Sequence, residues 1–384
     1  MNFELTDEQT DIRNAVKAFC DDHFTKELAL ECDRREEFPR ELHRRAAGLG
    51  FVGIHFPEEY GGQGYGYLEN AIVVEEMCRA DSTLGTAIVL ADLGCELILK
   101  FGAEEQKAKY VGRVAKGDSI SAAVFTEPAR GSAISERLDT VAVREGLGWA
   151  ISGTKTLITN ATTADFFITL CQTDADAQPP YRGQSLLVVD RDAPGVEVTK
   201  LENKMGIRAA PIGEINFDEV HVPGENLIGR LNRGFYHTME WFNESRVEVA
   251  AQALGIAQGA FDRALVYARQ REAFGRRISE FQAISHKLAE MIMKIEAAKL
   301  LVYKAAWLID QGRADPLASS MAKALAGRAA VEVADEAIQV LGGYGYMGEY
   351  EVERIYRDAK ITEIYEGTRE IQKNTIARFL LRRT

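Results

Sequence analysis

The spacing of apolar and polar positions changes period twice along the chain. Up to residue 118 it is helical. Thr6-Asp7-Glu8-Gln9 reads as an N-cap with a glutamine at the third helical position, and Ile12, Val16 and Phe19 follow at helical spacing. Similar patterns run through 42–49, 67–79 and 84–101, whereas the glycine-dense stretch 57–64 predicts a loop. From about Ser119 the period falls to two. Short β-rich runs at 119–125, 140–143, 149–159, 166–172, 185–190, 196–201, 214–217 and 219–222 predict a compact β-domain, closed or sandwiched. From about Leu231 helical periodicity returns, and the alanine-rich stretches 241–269, 278–311, 317–340 and 368–381 predict a four-helix bundle. The expected fold class is therefore α+β in three zones: 1–118 helical, 119–230 β and 231–384 helical. Apolar stripes on several helix faces leave room for subunit packing.

Composition narrows the function. The 384 residues carry 46 Lys and Arg against 58 Asp and Glu, a net charge of −12, which argues against a nucleic-acid binder. No run approaches the ~18 apolar residues of a membrane span, and the N-terminus lacks the basic and apolar blocks of a signal peptide. Five scattered cysteines form no disulfide framework, so the expected compartment is the cytoplasm. The histidines show no metal-ligand spacing, so no metal is expected.

Candidate chemistry sits at the ends of elements. Thr126-Glu127-Pro128-Ala129-Arg130-Gly131-Ser132 closes the first β-run, where hydroxyls and free N–H groups can hold a carbonyl-rich ring or a phosphate. Lys155-Thr156-Leu157-Ile158-Thr159-Asn160-Ala161 closes the third. Arg271-Glu272-Ala273-Phe274-Gly275, with Gln282 beyond, interrupts the long helices and offers a planar fork for a pyrophosphate. Gln339-Val340-Leu341-Gly342-Gly343-Tyr344-Gly345-Tyr346 lacks the Rossmann spacing yet allows close backbone approach. Tyr365-Glu366-Gly367-Thr368 precedes the last helix, and an apolar ligand over Glu366 would raise its pKa toward that of a proton-abstracting base. Taken singly, each has an ordinary structural explanation.

Their order is more specific. TEPxxGS at 126–132, KTxITNA at 155–161, KMGIR at 204–208, RxxFG at 271–275, QxxGGxGY at 339–346, RDAK at 357–360 and YEGT at 365–368 together resemble the acyl-CoA dehydrogenase family over essentially the whole chain. The resemblance implies FAD, usually in a homotetramer. It implies that Phe125, Thr126, Leu157 and Thr159 flank the isoalloxazine and that Ser132 lies near the flavin phosphates and the CoA arm. Arg271, Phe274, Gln282, Gln339, Gly342 and Gly343 would serve the FAD of a neighbouring subunit, and Thr368 and Glu370 would approach the flavin from the C-terminal side. Asn243, Arg246, Gly367 and Arg378 match CoA contacts. Glu366 matches the base that removes the acyl α-proton as the β-hydrogen leaves as hydride to flavin N5, giving a 2-enoyl-CoA. Electrons would pass to an electron-transferring flavoprotein. Relatives that keep the base on the earlier helix have it where Ser245 stands, and the adjacent Glu244 should point elsewhere.

Departures bear on substrate and acceptor. Leu157 replaces the family's usual tryptophan beside the flavin, and Ala133 replaces a common aspartate. Asp92 falls in the expected 84–101 helix, where relatives often have a small neutral polar residue. It is read either as a helix-surface carboxylate or as a group facing a cyclic or functionalised acyl chain. The expected substrate is a short- or medium-chain acyl-CoA, cyclic or branched groups included. A distal carboxylate is disfavoured, because residues 81–99 contain no arginine or lysine. An oxidase on the same scaffold, a non-catalytic acyl-CoA or flavin-binding assembly protein, and enoyl-CoA reduction by the same residues are the alternatives.

Overall fold

The computed structural model describes residues 4–381. Helices α1 (Asp7–His23), α2 (Lys26–Arg35), α3 (Arg40–Gly48), α4 (Tyr67–Ala80), α5 (Ser82–Val89) and α6 (Cys95–Phe101) come first. Two short helices follow, α7 (Glu104–Gln106) and α8 (Gly112–Ala115), on either side of a π-helical turn. The capping box at Thr6 is present in both directions. The expected single helix over 84–101 is two. The chain breaks at residues 90–94, where Gly94 adopts φ +89°, so Asp92 lies in a turn and not on a helix.

The strands are β1 (Ser121–Val124), β2 (Val141–Glu145), β3 (Gly148–Thr159), β4 (Phe166–Gln172), β5 (Gln184–Asp190), β6 (Val196–Leu201), β7 (Ile212–Pro223) and β8 (Leu227–Ile228). They form one sheet in the order β6-β7-β3-β2-β4-β5-β8, with β1 pairing parallel to β4. The two runs read at 214–217 and 219–222 are halves of β7. A register shift opposite Ile151–Gly153, with Glu219 at φ +49°, reverses the alternation between them.

Period two explains how the sheet is used. Phe166, Ile168 and Leu170 of β4 pack with the N-terminal helices, while Phe167 and Cys171 join Leu187, Val189, Ile215 and Phe217 in the β-zone core. All five cysteines are buried and unbridged.

Three long helices, α9 (Gly234–Gln270), α10 (Gln282–Asp310) and α11 (Pro316–Leu341), pack on one another, with the two-residue strands β9 (Glu272–Ala273) and β10 (Arg276–Arg277) forming a hairpin between the first two. The short α12 (Val352–Ala359) lies against α9 and α11, and α13 (Arg369–Leu381) lies against α11. Helix α4 also packs along α9, so the alanine-rich core spans two zones. That crossing depends on Gly255, where a Cβ would stand 2.2 Å from the Glu75 carbonyl oxygen. Among the described residues, no helix is long and apolar enough to cross a membrane.

The RDAK stretch ties the zones together. Asp358 accepts hydrogen bonds from the Ser82 and Thr83 hydroxyls and from the Ile207 N–H, while Arg357 reaches Asp33 and the Met205 carbonyl. The buried Arg354 pairs bidentately with Asp81 at 3.0 and 2.7 Å.

Candidate active site

Glu366 sits on the loop between α12 and α13 in a left-handed conformation, φ +52°, followed by Gly367 at φ +93°. A non-glycine residue there is strained, and the surrounding structure must hold it. The Lys323 Nζ of α11 donates to the Gly367 carbonyl at 2.7 Å. Gln372 Nε2 donates to the Glu366 and Gly367 carbonyls at 3.0 and 2.9 Å, and Arg246 Nε reaches the Glu366 carbonyl at 3.3 Å. The side chain is held as well: the Ser245 hydroxyl of α9 donates to Glu366 Oε2 at 2.8 Å. Burial pushes the Glu366 carboxyl up, against the opposing pull of the Ser245 hydrogen bond and the Arg246 and Lys323 cations. Burial in turn lowers Lys323 to about 8. Glu244 points away and is engaged by Lys100 at 2.7 Å and by the Tyr67 hydroxyl at 3.1 Å.

The strand-end residues gather nearby on the same helix. The Phe125 ring meets Trp241 and Phe242 of α9 edge-on at centroid distances of 5.8 and 6.1 Å. Behind it, the fully buried Lys155 donates to the Phe125 carbonyl at 3.0 Å and to Glu127 at 3.1 Å. Glu127 also accepts the Asp139 and Thr140 N–H groups, so a closed polar network fixes the loop that carries Thr126. A bulge between Lys155 and Ile158 turns Leu157 outward, at φ +57° and 61% exposed, with Thr159 partly accessible two residues on. Ser132 is exposed.

A second group forms at the far end of the long helices. Arg271, Gly342 and Gly343 line a cavity of about 470 Å³ together with Tyr267 and Tyr344, and the Arg271 guanidinium lies 5.5 Å from the Tyr344 ring centroid. Gln282 opens α10, Gln339 lies in the last turn of α11, and Phe274 is 95% exposed. Thr368, Glu370 and Arg378 lie at or on α13, the last two exposed, and Asn243 is half-buried on α9.

Asp92 is buried rather than on the surface, and its Oδ1 has no hydrogen-bond partner. Burial first, and the neighbouring Glu96 second, push its carboxyl up to about 7. The structure also assembles a group that no sequence spacing announced: ligand atoms of His55, Glu96 and Glu248 lie within 4.8 Å of one another. Lys323 and Gln372 were equally silent. A lysine on the buried face of an alanine-rich helix was the available signal for the first.

Three family models match in succession: acyl-CoA dehydrogenase, N-terminal domain, over 6–118; middle domain, over 122–220; and C-terminal domain, over 232–381. The short-chain-specific acyl-CoA dehydrogenase of Clostridium acetobutylicum is 41% identical over 98% of this chain and 99% of its own. The caffeyl-CoA reductase-Etf complex subunit CarC of Acetobacterium woodii is 38% identical over 97% and 98%. The solved butyryl-CoA dehydrogenase of Megasphaera elsdenii superimposes with a TM-score of 0.95 at 37% identity, covering all of both chains. With three domain models in order and whole-length relatives of one enzyme class, this chain belongs to the acyl-CoA dehydrogenase family, an FAD-dependent group of oxidoreductases.

Proposed function

We propose that the chain oxidises a short- or medium-chain acyl-CoA to the 2-enoyl-CoA, with Glu366 as the base. The observation that carries this reading is the Glu366 carboxylate itself, desolvated, oriented by Ser245 and held by Arg246 of α9 and Gln372 of α13 on its own carbonyl and by Lys323 of α11 on that of Gly367. A carboxyl raised in this way gains driving force for proton removal when an acyl chain excludes the remaining water. Its backbone N–H is the donor we assign to the thioester carbonyl, where charge develops as the α-proton leaves. Arg246 and Asn243 on α9, with Gly367 and Arg378 on the opposite side, are assigned to CoA, and Ser132 to its phosphate-bearing arm.

The residues fit FAD. Phe125, Thr126, Leu157 and Thr159 present a rim of backbone and hydroxyl groups beside Glu366's helix neighbours, and Thr368 with Glu370 closes the C-terminal side. A Cβ built on Gly342 or Gly343 would meet nothing within 4 Å, which leaves this stretch of backbone approachable beside the Arg271 guanidinium for a pyrophosphate. When bound, FAD supplies the hydride acceptor. The exposure of Phe274, Gln282 and Gln339 supports their assignment to a neighbouring subunit's cofactor in a homotetramer. An electron-transferring flavoprotein is the proposed acceptor, supported by the Etf-complex relative, and we place the enzyme in the cytoplasm. That relative's name also favours a second reading, enoyl-CoA reduction through the same residues.

Anaerobic photometry of the holoenzyme tests the assignment. Butyryl-CoA or hexanoyl-CoA should bleach the flavin, and Glu366→Gln should retain acyl-CoA binding with bleaching lost by at least about a thousandfold. Bleaching that survives in Glu366→Gln would remove Glu366 from the reaction.

A further inference from the structure

The acidic group beyond Glu366 has no role in that chemistry. Glu96, in the first turn of α6, meets Glu248 of α9 and His55, and Asp92, from the turn after α5, is close enough to exchange charge effects with all three. Asp92, Glu96 and His55 are each nine-tenths or more buried. Some of their capacity is directed: the Trp241 indole donates to Glu96 Oε2 at 3.1 Å, and Asn70 donates to Glu248 Oε1 at 2.6 Å. The Gly53 backbone also acts on the Asp92 carboxyl, and part of the group faces no partner. Asp92 Oδ1 and both ring nitrogens of His55 lack hydrogen bonds, the closest approach being His55 Nε2 to Glu96 Oε1 at 3.7 Å. Among the described residues, none of the three carboxyl groups pairs with a lysine or arginine; Lys100, on the same helix as Glu96, is taken by Glu240 and Glu244.

Buried carboxyl groups without a counter-charge are costly and persist where something else supplies the charge. Here burial and mutual repulsion push Asp92 and Glu248 up. The cluster also lies beside the base. Glu248 and Glu366 both keep accessible surface while desolvation is the leading cause of their raised pKa, and the Glu366 charge acts on Glu248 as the Glu96 charge acts on Glu366. On α9, Ser245 and Glu248 are three residues apart and so share a face, the first touching Glu366 and the second the acid group.

We propose that Asp92, Glu96, Glu248 and His55 form a cation-recognising subsite at the acyl end of the active site, which takes the protonated amine of an amino-substituted acyl group. This rests on the acyl-CoA reading above and specifies its substrate class. The ammonium group would donate to Asp92 Oδ1 and to the Glu248 carboxylate and supply the missing counter-charge, which a neutral methyl terminus cannot do.

The test compares 4-aminobutyryl-, 5-aminopentanoyl- and 6-aminohexanoyl-CoA with pentanoyl-, hexanoyl- and heptanoyl-CoA on the FAD-loaded enzyme. Kd is read by calorimetry and flavin bleaching by anaerobic photometry. At least one amino compound should bind about tenfold or more tightly than its methyl counterpart, and the preference should fall to about one in Glu248→Gln and in Asp92→Asn. Two separate variants guard against misfolding of either. Equal or weaker binding of all three amines overturns the proposal, while bleaching by the neutral series would leave the dehydrogenase reading intact. Bleaching by neither series, with amine-selective binding, would instead overturn the reaction and keep the subsite. Calorimetry with Mn²⁺ and Zn²⁺ separates the other source of charge: tight metal binding that Glu248→Gln removes, without amine preference, marks a free-cation site and overturns the proposal.

Discussion

Removing the Ser245 hydroxyl isolates the electrostatics of the proposed base. In Ser245→Ala the 2.8 Å hydrogen bond to Glu366 Oε2 is lost, while the backbone bonds from Arg246, Lys323 and Gln372 remain. The hydroxyl stabilises the ionised carboxylate, so its loss leaves burial less opposed and the Glu366 pKa rises further. A hydrogen bond to a charged group is worth about 1.5–3 kcal/mol net. At about 1.36 kcal/mol per unit, that is a rise of roughly 1–2 units.

The assay is anaerobic flavin bleaching at limiting acyl-CoA, where the second-order constant reports the ionisation of the free enzyme. Its acid limb should move to higher pH by that amount. The rate should fall about 10- to 100-fold below the limb and converge on wild type above it. Ser245→Thr, which keeps a hydroxyl, should restore most of the shift, and thermal melting should show both variants folded. An acid limb that stays in place in Ser245→Ala, or moves to lower pH, would refute the argument that this hydroxyl sets the ionisation of Glu366.

Three further outcomes follow from buried charges. Lys323→Met should lower bleaching and also raise the acid limb, because Lys323 holds the Gly367 carbonyl and its cation pulls the Glu366 pKa down; a rate loss without a pH shift would make it a purely mechanical support. Asp92→Asn should stabilise the protein more at pH 8 than at pH 5. A carboxyl raised from 3.8 to about 7 loses its favourable contribution as pH climbs between those values, a penalty of about 4 kcal/mol when fully ionised, and melting temperatures at the two pH values read the difference. Arg354→Met strands the buried Asp81 carboxylate, whose pKa Arg354 holds down, and should cost about 3–5 kcal/mol in urea unfolding.

Local patterns were legible where one residue's neighbours in sequence are also its neighbours in space. The ends of β4 and β6, the long helices and the order of strand-end motifs were all readable for that reason. So was the exclusion of Glu244, because successive helical residues diverge by about 100°. The break at residues 90–94 was not, since Leu90, Ala91 and Leu93 continue an apolar pattern through it, and Gly94, at φ +89°, opens the next helix and does not end the first. Nor was the function of RDAK as the clamp on Ser82, Thr83 and Ile207, which are 276, 275 and 151 residues away. His55, Glu96 and Glu248 lie on separate stretches, and no spacing rule joins a loop histidine to two helical carboxylates.

What joins them is α9. Its residues Ser245, Glu248 and Gln252 recur at three- and four-residue spacing, and each meets a different part of the site: the Glu366 carboxylate, the acid cluster, and the Tyr365 hydroxyl with Thr86. Arg246, turned by one residue, reaches the Glu366 backbone and stacks 5.2 Å from Phe242, itself packed against Phe125 at the strand end. One rigid helix thus fixes the proposed base, the wall of the proposed acyl space and the loop proposed to hold the flavin edge. That rigidity has a source in the sequence: the alanines of α9, and Gly255 seven residues beyond Glu248 on the same face, let α4 and α11 close tightly on α9, so small residues beside the site set the precision of its chemistry.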